Sequence, residues 1–252
     1  MSDEQPAERP TIPPPPPAEL ERVPFWGYAD VFLVAGLALP CMFLGWGLIH
    51  LFLLITHLHV APGIAAAPEM LVGYGLLFTA VMVIFRVQYD RPFWRSLGWT
   101  DTRIPLLWCV VYGMATVMLL AVVARLIHMP PTAGPMMEML KDRNALIVLA
   151  IFGTTAAPLF EELAFRGLLQ PLLVRNLGAI VGIAIAAALF GGLHYWQYGE
   201  AWQSSLMIAI AGAAFGCMRQ ATGSTAASAI MHASFNGLQF VALLMVGKNG
   251  AH

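Results

Sequence analysis

Residues 104–124, IPLLWCVVYGMATVMLLAVVA, carry no charged side chain. A helix needs about 20 such residues to cross the roughly 30 Å hydrocarbon core of a bilayer, where every backbone polar group must be satisfied within the segment or by protein around it. Similar runs recur at about 29–55, 69–86, 145–172, 177–197, 203–219 and 225–247. With 104–127 they predict an all-α membrane protein, a polytopic helical bundle of about seven transmembrane helices. Composition agrees: only 11% of residues are charged and mean hydropathy is +0.72, whereas soluble domains carry about a quarter charged residues. A formal net charge of −1 offers nothing to a nucleic acid, and no nucleic-acid partner is expected.

The chain divides into four parts. Residues 1–24 form a proline-rich tail with five consecutive prolines (Pro13–Pro17), expected to be disordered and cytosolic. Residues 25–144 hold the N-terminal membrane helices and interfacial loops, residues 145–247 are expected to form the core that carries any catalytic site, and 248–252 are a short tail. Arg86, Arg91, Arg95 and Arg103 follow the second span, while the THLHVAPGIAAAP loop has no Lys or Arg. The positive-inside rule then places the N-terminus in the cytoplasm and the C-terminus outside. Phe93, Trp94 and Trp99 among those arginines read as an interfacial anchor. The loop MPPTAGPMMEMLKDRN is expected to hold a short surface helix and is a candidate lid. Cys41, Cys109 and Cys217 fit no metal or redox spacing and read as small core residues. Gly212 with Gly216, and Gly178 with Gly182, are spaced for close helix contact.

Ionisable residues at membrane depth cost about 2.5–3.5 kcal/mol each on insertion scales, so those that persist carry information. From residue 145 onward they are Glu161, Glu162, Arg166, His194 and His232, with Asn236 beside them. The first three helices contribute only end positions such as Asp30 and His50. On a helix Glu162 and Arg166 are i, i+4 and can pair. Glu161 points about 100° away, which leaves one acid without a base. His232 and Asn236 are also i, i+4 and can donate toward one point. A carboxylate and an imidazole converging on a water can deprotonate it. A second His and an amide can stabilise the oxyanion formed at a carbonyl. Glu161, His194 and His232 also constitute a donor set for catalytic zinc, and no HExxH is present.

EELAFR (161–166), FGGLH (190–194) and HASFN (232–236), in this order, resemble the EExxxR, FxxxH and HxxxN motifs of the CAAX protease and bacteriocin-processing family (CPBP, or Abi). RSLGW and TGSTAASAIMHASFN are similar to family sequences as well. The resemblance covers residues 145–240 firmly and 69–144 loosely. It implies a helical intramembrane endopeptidase in which Glu161 and His194 activate water, His232 and Asn236 form the oxyanion side, and Glu162 and Arg166 support the site. It favours a glutamate-dependent reaction without cofactor; the metalloprotease alternative would use zinc. Family members often have eight helices, one more than the seven counted here.

The expected function is therefore hydrolysis of a peptide bond in a membrane-associated protein or peptide, prenylated CAAX-type substrates included. A catalytically silent membrane scaffold or bacteriocin-immunity factor is the alternative, and a proton-coupled transporter the third reading. A proton relay would spread acids and histidines along a path, whereas here they gather in the last four helices. Expected partners are the lipid bilayer and a peptide or lipidated protein substrate. The expected location is a bacterial inner membrane.

Overall fold

The structure is a computed structural model that describes residues 24–131 and 133–249, with side chains described as far as Met245. The proline tail through residue 23 lies outside the described residues. Among the described residues the architecture is all helical, without strands. Long helices α1 (Tyr28–Thr56), α2 (Pro62–Tyr89), α4 (Leu106–Leu126), α10 (Trp202–Thr222) and α11 (Thr225–Asn249) are joined by short α3 (Phe93–Ser96) and α5 (Pro135–Met139). Between them the chain runs through α6 (Arg143–Thr154), α7 (Ala156–Glu162), a π-helical turn (Leu163–Leu169), α8 (Gln170–Leu177) and α9 (Ala179–Leu193).

Seven apolar runs do become helical segments, but not seven comparable spans. Five are long and apolar enough to cross a membrane: α1, α2, α4, the broken run Arg143–Leu177, and Thr225–Met245 of α11. Helix α9 has only 15 residues, about 22 Å at 1.5 Å per residue and short of the hydrocarbon thickness. Helix α10 is long enough, but Gln203, Ser204, Ser205, Arg219 and Gln220 make it too polar. The outward faces are apolar: Phe32, Leu39, Phe43, Leu107, Met118 and Leu119 are all exposed. A surface of this kind is soluble only in lipid.

Helix starts and stops follow local chemistry. At the start of α1 the Gly27 N–H donates to Asp30 at 2.8 Å, and the Tyr89 hydroxyl donates to the same carboxylate at 2.8 Å. Asp30 is thus an end position, as its place in the sequence implies. Helix α2 begins at Pro62, seven residues before the apolar run, because proline suits the first helical turn. Glu69 is therefore carried two turns into the helix, where its carboxylate lies 3.5 Å from His50 Nδ1. The expectation that the first helices hold only terminal ionisable groups is corrected by this pair. The short helix expected in the 129–144 loop is α5.

Small residues set the helix contacts. A Cβ on Gly45 would fall 2.7 Å from the Gly73 nitrogen, so α1 and α2 approach backbone to backbone. Gly182 brings α9 equally close to Val174 of α8, but Gly178 has nothing near it and serves as the turn between these helices, at φ +81°. Cys41 and Cys109 are buried, whereas Cys217 is exposed on α10 and is no core residue. The aromatic anchor divides: Phe93 is buried with Leu97, Trp26 and Phe85, while Trp94 stays exposed.

Gly45→Leu is expected to lower thermal stability in detergent, with a cost of roughly 1–3 kcal/mol for overpacking. Gly47→Leu, two residues along where nothing lies within 4 Å, should leave the melting temperature unchanged or slightly raised. Equal melting temperatures for the two variants would contradict this packing.

Candidate active site

The run from 143 to 177 does not form one helix, and its breaks create the site. Thr155, at φ −127° and ψ −80°, separates α6 from α7. Pro158 falls in the first turn of α7, where a missing N–H costs least. Five residues later the backbone widens into the π-helical turn, and Gln170 N–H bonds back to the Phe165 carbonyl. Single π turns of this kind recur at functional sites. Glu161 and Glu162 sit at the end of α7 and Arg166 in the π turn.

The Glu162 side chain is fully buried. Arg166 Nη1 donates to its Oε1 at 2.9 Å, His232 Nδ1 contacts the same oxygen at 2.9 Å, and the Ser228 hydroxyl donates to Oε2. A carboxylate accepts only, so Nδ1 of His232 carries its proton toward Glu162. Arg166 also donates from Nη2 to the Gly212 carbonyl at 2.7 Å, and the Phe190 ring lies 4.6 Å from its guanidinium carbon. One helical turn on, Gln170 Nε2 donates to the Gly216 carbonyl at 2.9 Å. The glycine pair on α10 thus opens two carbonyls, four residues apart, to two polar side chains with the same separation.

Glu161 is partly exposed, at 18%, and its Oε2 stands 3.8 Å from His232 Nε2. That gap is too long for a direct hydrogen bond and suits one shared water. His232 itself is buried, stacked on Phe215 with ring centroids 4.5 Å apart. His194 ends α9, where its Nδ1 donates at 2.7 Å to the Phe190 carbonyl, one of the helix's last four. This leaves Nε2 of His194 free as an acceptor. The Phe190 ring lies 4.8 Å from the His194 ring and 5.7 Å from that of His232. Glu161 has no hydrogen bond to His194 among the described residues; the imidazole it approaches is His232. Asn236 Nδ2 donates to the Gly153 carbonyl at 2.8 Å, which the break after α6 leaves without an intrahelical donor. One amide hydrogen of Asn236 is thereby committed to holding α11 against α6.

Sequence reasoning gave no site role to Ser228 or Tyr198, and none to Phe190 beyond its place in FGGLH. Ser228 is four residues before His232, so i, i+4 spacing from that histidine would have found it. Tyr198, in the turn after α9, has its phenol held protonated above its ordinary range by burial and then by the Glu161 charge. The start of α5 and the glycine before it cover the same end of the bundle: Met136 N–H donates to the Gln197 carbonyl at 3.2 Å, and Gly134 (φ +112°) lies against Gly199. Among the described residues no three His, Cys, Asp or Glu side chains are grouped to hold a metal ion. That holds for Glu161, His194 and His232 as they stand in this arrangement.

Arg166→Leu is expected to leave a buried uncompensated carboxylate and to cost about 3–5 kcal/mol. That is a fall of roughly 10 °C in melting temperature at the usual scaling for a chain of this size. Arg166→Lys, which keeps the charge but not the fork that reaches both Glu162 and Gly212, should fall between the two. Differential scanning fluorimetry in detergent measures both, and unchanged melting curves would show the network to be dispensable.

Residues 143–238 match the family model described as type II CAAX prenyl endopeptidase Rce1-like. No curated protein and no solved structure gives a significant match. The matched segment contains all three motifs and every residue of the network just described. Five helices long and apolar enough to cross a membrane indicate an integral membrane protein. Over this segment the chain carries the Rce1-like pattern, consistent with the CPBP family that its motifs resemble.

Proposed function

We propose that the chain is an intramembrane endopeptidase that hydrolyses a peptide bond of a membrane-associated protein or peptide, CAAX-type prenylated substrates included. The observation that supports this most is the 3.8 Å gap between Glu161 Oε2 and His232 Nε2, with the far nitrogen of His232 anchored on a fully buried Glu162. In this reading Glu161 takes one proton of the attacking water, and the free Nε2 of His194 accepts a hydrogen bond from its other hydrogen. The Nε2 side of His232 and the remaining amide hydrogen of Asn236 then face the oxyanion.

The reaction closes without any redox step. The water oxygen bonds to the carbonyl carbon while one proton passes to Glu161. The carbon–nitrogen bond of the tetrahedral intermediate then breaks, and Glu161 returns the proton to the departing amine. Glu162, Arg166 and Ser228 orient His232 and touch no reacting atom. No bound metal or cofactor is proposed. The chain is read as lying in a bacterial inner membrane with its N-terminus in the cytoplasm.

The test is cleavage of a fluorogenic farnesyl-cysteine peptide panel by the detergent-purified protein. Glu161→Gln should lose at least about 10²-fold in kcat, the usual worth of a positioned base, with an unchanged melting temperature. His232→Ala should lose activity as well. Full turnover by Glu161→Gln would refute the assignment. Loss of wild-type activity to a tight chelator, restored by zinc, would replace the metal-free chemistry.

A further inference from the structure

A cleft lies beside Gln170, one helical turn beyond Arg166. It has a volume of ≈ 260 Å³ and is lined by Pro24, Gln170, Val174 and Arg175 on one side and by Arg219 and Gln220 of α10 on the other. It is smaller than the pockets of drug-sized ligands, which begin at about 300 Å³. Gln170 is eight residues beyond Glu162, roughly 12 Å along a helix, so this is not the peptide-bond site.

Three observations describe what fits. First, Arg175 and Arg219 have no carboxylate partner among the described residues. Arg175 donates to the Pro24 carbonyl and to Asn176 Oδ1, and Arg219 donates from Nε to the Arg166 carbonyl at 3.2 Å. All of these acceptors are neutral, so two full positive charges are left at the cleft, with most of their ten N–H donors unspent. Second, Gln170 is 2% exposed, and its Oε1 has no hydrogen-bond partner. Its Nε2 is committed to Gly216, which fixes the amide with the acceptor uncommitted. A buried acceptor left unsatisfied costs about 1–3 kcal/mol, and Gln170 is one of the residues that line the cleft. Third, the cleft sits at the ends of α8 and α10, on the side of the bundle that carries Arg86, Arg95 and Arg103. The positive-inside rule assigns that side to the cytoplasmic headgroup region. The C-terminal dipoles of α8 and α10 oppose an anion by about half a charge each, less than the two full arginine charges.

Charge alone would take any anion; the uncommitted Gln170 acceptor asks in addition for a donor. We propose that this cleft binds the phosphate of an anionic phospholipid whose headgroup also carries a hydrogen-bond donor. The phosphate sits between Arg175 and Arg219, and a headgroup hydroxyl or protonated amine donates to Gln170 Oε1. Basic pockets between helices at the cytoplasmic surface bind lipid headgroups in this way. The proposal is independent of the hydrolytic reading, since it concerns binding alone.

The test is native mass spectrometry of the full-length protein titrated with phosphatidylglycerol, phosphatidylmethanol, phosphatidylcholine or inorganic phosphate. Phosphatidylglycerol should bind about tenfold more tightly than phosphatidylcholine, one charge-assisted bond being worth about that factor. Arg175→Gln, at an exposed position, should remove about the same factor. Gln170→Met keeps the volume and deletes the acceptor. It should abolish the preference for phosphatidylglycerol over phosphatidylmethanol, which has the same charge and no hydroxyl. Melting temperatures of both variants without lipid show that the fold persists. Equal retention of phosphatidylcholine and phosphatidylglycerol, or indifference to both substitutions, overturns the proposal. Equally tight binding of inorganic phosphate overturns the lipid as the source. Lipid binding that appears only after Glu19→Gln with Glu21→Gln would show that the chain's own acids take the cleft, and overturns it too.

Discussion

The Glu162 carboxylate is the constraint on which the remaining polar architecture depends. A charge withdrawn completely from solvent is tolerated only when it is paired and hydrogen-bonded. Here Arg166, Ser228 and His232 meet that demand from the π turn and from α11. Satisfying one carboxylate therefore joins two parts of the chain some 70 residues apart. It also fixes which way the His232 ring faces, because Nδ1 is held on Glu162 while Nε2 is turned toward Glu161. Arg166 extends the same network to the Gly212 carbonyl, and its own carbonyl accepts from Arg219.

Broken helices provide the second half of the design. A continuous helix through 143–177 would use its backbone carbonyls internally and leave nothing for side chains to hold. The break after α6 exposes the Gly153 carbonyl to Asn236, and the end of α9 exposes the Phe190 carbonyl to His194. Irregular backbone at membrane depth survives only where protein re-satisfies it. The motif residues His194 and Asn236 do that here with one nitrogen each, and each keeps hydrogen-bonding capacity for the proposed chemistry. Structural and chemical roles are thus divided between atoms of one side chain rather than between residues.

Much of this was legible in the sequence. The apolar runs locate the helices because bilayer thickness sets their length. The spacing of Glu162 and Arg166 announces their pairing because i, i+4 neighbours share a helix face whatever surrounds them. The three motifs direct attention to the segment that the Rce1-like pattern covers. Hydropathy did not distinguish a full span from a 15-residue helix such as α9, nor detect that α2 starts at Pro62 and carries Glu69 inside. Those depend on capping and chain reversal, which hydropathy averages away.

The sequence by itself determined the solvent, the helical class and the short list of ionisable residues placed in the bundle, because each follows from local composition and a 3.6-residue period. Only the tertiary structure decided which acid meets which base. Glu161 stands opposite His232 rather than in hydrogen-bond contact with His194, Ser228 completes the shell of Glu162, and Gly212 and Gly216 receive Arg166 and Gln170. These pairings are set by how α7, the π turn, α10 and α11 pack, and helix packing depends on small residues and backbone breaks whose partners lie dozens of residues away.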